Sequence, residues 1–134
     1  MSKRICKRKK GTATAELAIA LPILMLMIFG GMEASNSLFL KQGMTVAAYE
    51  TAKMATTVGF TSDEALARGQ VALDARGFGE ADITIDPPNV TAVEPGTPIV
   101  VTVTAPSDLN AIVPIGVLWG ESVQVNAQIT MIRN

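Results

Sequence analysis

The sequence predicts an α+β chain: a long N-terminal helix whose first part is built for a membrane, then a second helix, both packed on a small antiparallel sheet of three to four strands. Three observations carry that expectation. From Leu17 to Phe29 every residue is apolar or proline. Beyond it the apolar residues recur at spacings of three and four as far as Val58, a helical period. After about residue 80 the period changes to two, between prolines and glycines, which is the pattern of half-buried strands.

The 134 residues have room for one small folded domain once a membrane segment is set aside. Charge divides the chain more sharply than its net value of −1 suggests. Residues 1–11 carry Lys3, Arg4, Lys7, Arg8, Lys9 and Lys10 and no acid, whereas the rest holds five cations against twelve acids. A chain basic at one end and acidic elsewhere is not built for nucleic acid. There is no histidine, and the single cysteine, Cys6, lies in the basic leader, so no disulfide and no thiolate or imidazole metal site can form after residue 11.

Between Thr12 and Met32 the only charge is Glu16. At 1.5 Å per residue those positions form a helix of about 31 Å, the thickness of a bilayer's hydrocarbon core. Six cations precede this span and no further one occurs until Lys41, which keeps the N-terminus in the cytoplasm and exports the C-terminal part of the chain. An uncleaved anchor, a secretory signal peptide and a pilin-type leader all share that orientation. "GGMEASNS" offers a signal peptidase only poor small-residue sites near Ala34 or Ser37, and a plain anchor leaves Glu16 without a purpose. A carboxylate at the centre of a membrane helix costs about 2.5–3.5 kcal/mol, and less near the interface, where Glu16 would meet Lys9 or Lys10.

In the exported part, Leu40, Met44, Ala47, Ala48, Tyr49, Ala52, Ala55 and Val58 form the inward stripe of a helix that, if continuous from Thr12, is about 70 Å long. Pro22 and the pair Gly30 and Gly31 are its two expected bends. Thr61 and Glu64 have capping-box spacing, Ala65, Leu66, Ala72 and Leu73 share a face, and Gly77 is a stop. "DITID" before Pro87 and "PIVVTVTAP" are strands, and in the last one Val123, Val125, Ala127, Ile129 and Met131 alternate with Ser122, Gln124, Asn126, Gln128 and Thr130. The division expected is a basic leader at 1–11, a transmembrane helix at 12–32, its exported continuation at 33–59 and a small α+β domain at 60–134.

The remaining constellations are weak. Asp82, Asp86 and Glu94 are oxygen ligands of the kind calcium takes, but without EF-hand spacing they read as solvated acids. "RGFGE" lacks the context of a phosphate loop and reads as a turn. "LNAIVPIGVLWG", residues 109–120, reads as a core-capping connection, with a sticky edge anchored by Trp119 as the alternative. No carboxylate pair, serine or threonine has a recognisable base or orienting partner, so neither an enzyme nor a cofactor or small-molecule substrate is expected.

A basic leader ending in glycine, with glutamate as the fifth residue after it and then an apolar helix, resembles the type III signal of type IV pilins and pseudopilins. Here it reads "KRKKG", "TATAE" and "LAIALPILMLMIFGG". More narrowly, the stretch from Gly11 through "MTVAAYETAKMA" resembles the TadE-like pseudopilins of the tight-adherence (Tad) pilus, in which a proline interrupts the apolar helix and a glutamate comes after it. The terminal strand "ESVQVNAQITMIRN" resembles their ending. The resemblance implies cleavage by a prepilin peptidase between Gly11 and Thr12. It implies that Glu16 pairs with the new ammonium of Thr12 during assembly, and that the partners are the bacterial inner membrane, other pilin or pseudopilin subunits and the assembly platform. Leu17, where the major Tad pilin has tyrosine, points to a minor component. The alternative is an uncleaved single-pass protein whose exported domain, periplasmic or otherwise extracytoplasmic, binds a partner or ligand; weaker still is a domain released by ordinary signal peptidase.

Overall fold

The computed structural model describes residues 12–109, 111 and 123–133. The fold is α+β: helix α1 (Thr12–Thr56), helix α2 (Ser62–Asp74), strand β1 (Asp82–Asp86), a short 3-10 turn at Val90–Ala92, and strands β2 (Pro98–Pro106) and β3 (Gln124–Ile132). Two compact units divide the chain between Met32 and Glu33. The first contributes the apolar turns of α1, in which Pro22, Gly30 and Gly31 all keep helical conformation.

The second unit holds the core. Its sheet has the order β1-β2-β3, antiparallel throughout. Register lines the apolar residues up in rows: Ile83 and Ala127 flank Val103, Ile85 and Ile129 flank Val101, Met131 faces Ile99 and Val125 faces Ala105. The opposite face carries Thr84, Thr102 and Gln128 in one row and Asp82, Thr104 and Asn126 in the next. One face is therefore core and the other polar, as period-two alternation requires.

Leu40, Met44, Ala47, Ala48, Ala52 and Ala55 of α1 join Ala65 and Leu73 of α2, Phe78, Val90 and the inner residues of β2 in one buried cluster. Two members of the expected stripe fall outside it. Tyr49 is 46% exposed, because it stands about 100° round the helix from Ala48, and Val58 is 70% exposed, because α1 ends at Thr56 and the chain turns through Gly59. Thr51 and Thr56 are buried instead, their hydroxyls donating to the carbonyls of Ala47 at 2.8 Å and Ala52 at 3.0 Å. A threonine whose hydroxyl is satisfied one turn back behaves as a small apolar residue.

Glycine decides how closely the elements approach. A Cβ on Gly43 would strike the ring of Phe78, and one on Gly69 would strike Thr51 Oγ1 and lie 2.7 Å from Ile83 Cδ1. Phe78 is fully buried, and Phe39 packs on it edge to face, with ring centroids 5.6 Å apart.

The turn "RGFGE" does more than reverse the chain. Gly77 adopts φ +77°, a conformation natural to glycine, and so turns Phe78 into the core. Helix α2 begins with a complete capping box: Thr61 Oγ1 accepts from the Glu64 N–H at 3.3 Å and Glu64 Oε2 accepts from the Thr61 N–H at 2.8 Å. Hydrogen bonds from the Thr61 backbone and side chain hold the Glu64 carboxyl below its ordinary pKa. Ser62 ties α2 to the 3-10 turn, donating to the Pro88 carbonyl at 2.6 Å and accepting from the Val90 N–H at 3.1 Å.

Candidate site: the N-terminal segment

Helical conformation is already in place at Thr12. Thr12 and Glu16 are four residues apart on that helix, so they lie on one face with Cβ atoms about 5–6 Å apart, within reach of an ion pair if Thr12 carries a charge. Gly11, the other residue of the expected processing site, and the basic leader lie outside the described residues.

Every residue from Thr12 through Met32 is exposed. Large side chains stand bare along the helix: Ile19 at 70%, Leu26 at 75% and Met27 at 71%. By length and composition the segment is apolar enough to cross a bilayer, and its most apolar stretch is not buried within the chain. A soluble protein rarely shows so large a continuous apolar surface; its natural surroundings are lipid and other apolar helices. Glu16 is the one carboxylate in this surface before Glu33.

The second unit gathers no comparable chemistry. Asp82 and Asp86 occupy the two ends of β1, about 13 Å apart at 3.3 Å per residue. Among the described residues no group of three histidine, cysteine or acidic side chains is placed to hold a metal ion. Glu50 and Arg68 approach at 3.4 Å beside Lys53, Met54 and Thr57, an exposed pair whose contribution is small. Leu109 packs on the core, but Trp119 and most of the apolar connection around it lie outside the described residues.

Arg133 is a residue that composition did not single out. It is 9% exposed, its N–H donates to the Thr97 carbonyl at 3.0 Å, and its Nη1 atom is buried without a hydrogen-bond partner. Its position at the end of the core-facing register of β3 was the available signal.

No curated protein and no solved structure matches the chain. A family model does: that of TadE-like protein matches residues 11–53, from the glycine before Thr12 through the apolar turns and most of the rest of α1. The match covers about a third of the chain and coincides with the helix that is long and apolar enough to cross a membrane. The similarity to TadE-like protein thus lies within residues 11–53.

Proposed function

We propose that the chain is a non-enzymatic minor pseudopilin, cut between Gly11 and Thr12 and used in the assembly of a Tad-type pilus or related secretion apparatus. The observation that carries this reading is the position of Glu16: the single carboxylate of the uncovered apolar turns from Thr12 to Met32, four residues from Thr12 and inside the TadE-like match. Before cleavage, Lys9 and Lys10 lie close enough in sequence to balance it. Cleavage removes those cations and creates an ammonium on Thr12. The same cut that releases the leader therefore supplies the partner Glu16 then needs, in its own subunit or a neighbouring one. An ion pair of that kind is strongest in a low-dielectric setting, so it favours subunits docked in register within the membrane.

In this reading the basic leader keeps the N-terminus in the cytoplasm and presents the cut site to a prepilin peptidase at the inner membrane. The apolar turns hold the subunit in lipid until other subunits replace it, and the exported α+β unit makes contacts outside the membrane.

Glu16→Ala tests the assignment. The variant inserts and is processed as the wild type is, because both steps depend on the cations and the apolar run, while incorporation into the apparatus is lost. Normal assembly of Glu16→Ala contradicts the role given to the carboxylate.

A further inference from the structure

The two edges of the sheet are built differently. β1 has five residues, carries exposed Asp82 and Asp86 at its ends and runs into Pro87 and Pro88. Short length, charge and proline are the ordinary means by which a protein blunts an edge against further pairing. β3 has none of them. It runs nine residues from Gln124 to Ile132 with no charge, no proline and no glycine.

The hydrogen bonds at its two ends show which backbone groups are spare. Val123 accepts from the Ser107 N–H at 2.8 Å, and the Arg133 N–H donates to Thr97 at 3.0 Å, so the odd-numbered residues turn their N–H and C=O toward β2. Gln124, Asn126, Gln128, Thr130 and Ile132 turn theirs the other way, where no described strand lies. The side chains of these five are exposed as well.

We infer that the β3 edge is an interaction surface for a second copy of this chain, paired antiparallel β3 to β3. The register that pairs all nine residues puts Gln128 on a two-fold axis, opposite its own copy. Asn126 then faces Thr130, and Gln124 faces Ile132, all pairs of neutral side chains. On the core side Ala127 meets Ile129 and Val125 meets Met131, which joins the four apolar rows of one copy to those of the other. Arg133, the nearest charge, falls opposite Val123, so no like charges oppose each other. The product is a six-stranded sheet whose two outer edges are both β1. Because those edges are blunted, the assembly closes at two copies and does not grow into a fibre. This contact is independent of how the N-terminal segment is processed.

The test uses the full chain, with Cys6→Ser, in detergent micelles or lipid nanodiscs. Chains carrying Asn126→Cys are mixed with chains carrying Thr130→Cys and mildly oxidised. Residues facing each other as a hydrogen-bonded antiparallel pair have Cα atoms about 5.5 Å apart, within the span a disulfide bridges. The expected result is a covalent 126–130 dimer, and none from Thr84→Cys on β1.

Adding Gln128→Lys to both chains opposes two charges on the axis and abolishes the cross-link. Gln128→Lys on one chain with Gln128→Glu on the other restores it, which loss of folding would not allow. Association through α1 alone does not bring residues 126 and 130 together. The inference is overturned by absence of the 126–130 cross-link, by equal cross-linking at Thr84, or by indifference to charge at residue 128. It is also overturned if the Gln128 amide is protected from exchange in a monomeric chain, since the chain's own residues then cover the edge, or if β3 cross-links only to a different protein.

Discussion

Gly69 of α2 lies against Thr51 of α1 with no room for a methyl group between them: a Cβ built on Gly69 falls on Thr51 Oγ1 and within 2.7 Å of Ile83 Cδ1. Thr51 is in turn fixed by donating its hydroxyl to the Ala47 carbonyl at 2.8 Å. One contact thus joins both helices and the first strand.

Gly69→Ala is expected to destabilise the α+β unit by about 1–3 kcal/mol, the cost of overpacking a filled site. The helix preference of alanine over glycine offsets only about 1 kcal/mol. Thr51→Ala in the same chain removes the Oγ1 clash while leaving that with Ile83, so the double variant is more stable than the sum of the two single effects predicts. Denaturant unfolding of the four chains measures the coupling; strict additivity contradicts the contact.

Gly43→Ala forces the Phe78 ring out of its place, and Phe78→Ala empties that place. The second is expected to cost about 3–5 kcal/mol. Because the added methyl of Gly43→Ala needs the space that Phe78→Ala vacates, combining them recovers part of the loss, readable in the same unfolding experiment.

The capping box gives a pH dependence with a defined sign. Hydrogen bonds from Thr61 lower the pKa of Glu64 in the folded chain. Its contribution is therefore complete above the ordinary glutamate value of about 4.3 and is lost as pH falls through the lower folded value. Thr61→Ala is expected to cost about 1 kcal/mol at neutral pH. The difference between wild type and Thr61→Ala narrows as pH falls below about 4.3, and a difference that widens on acidification contradicts the assignment.

In the membrane segment, moving the acid tests spacing against mere presence. Glu16→Ala with Thr14→Glu keeps one carboxylate but places it two residues from Thr12, about 200° round the helix, where the two side chains do not face each other. Assembly is expected to fail as predicted for Glu16→Ala alone, while membrane insertion, read by protease protection of the C-terminal α+β unit, is retained.

β1 and β2 have the bounds that "DITID" and "PIVVTVTAP" predict, because alternation and flanking prolines are local signals. The capping box at Thr61 is equally local. What composition hid were the close contacts. Gly43 and Gly69 look like weak helix residues and Thr51 like a polar one, and only the tertiary approach of α1, α2 and Phe78 gives them their function. Tyr49 misleads for the converse reason, being apolar enough to join a stripe that it misses by rotation. The contrast between the edges of β1 and β3 depends on strand order, which no single strand encodes. The relation of Glu16 to Gly11 was fully legible, since it is a spacing along one continuous segment.

The central claim, cleavage between Gly11 and Thr12, is tested most directly by the intact mass of the protein recovered from its native membrane, read together with its N-terminal sequence. The predicted result is a chain that begins at Thr12, having lost residues 1–11. A chain that keeps Met1 or Ser2 on an intact leader contradicts the claim and leaves Glu16 beside Lys9 and Lys10 as an ordinary interfacial acid; one that begins near residue 35 contradicts it by pointing to ordinary secretion.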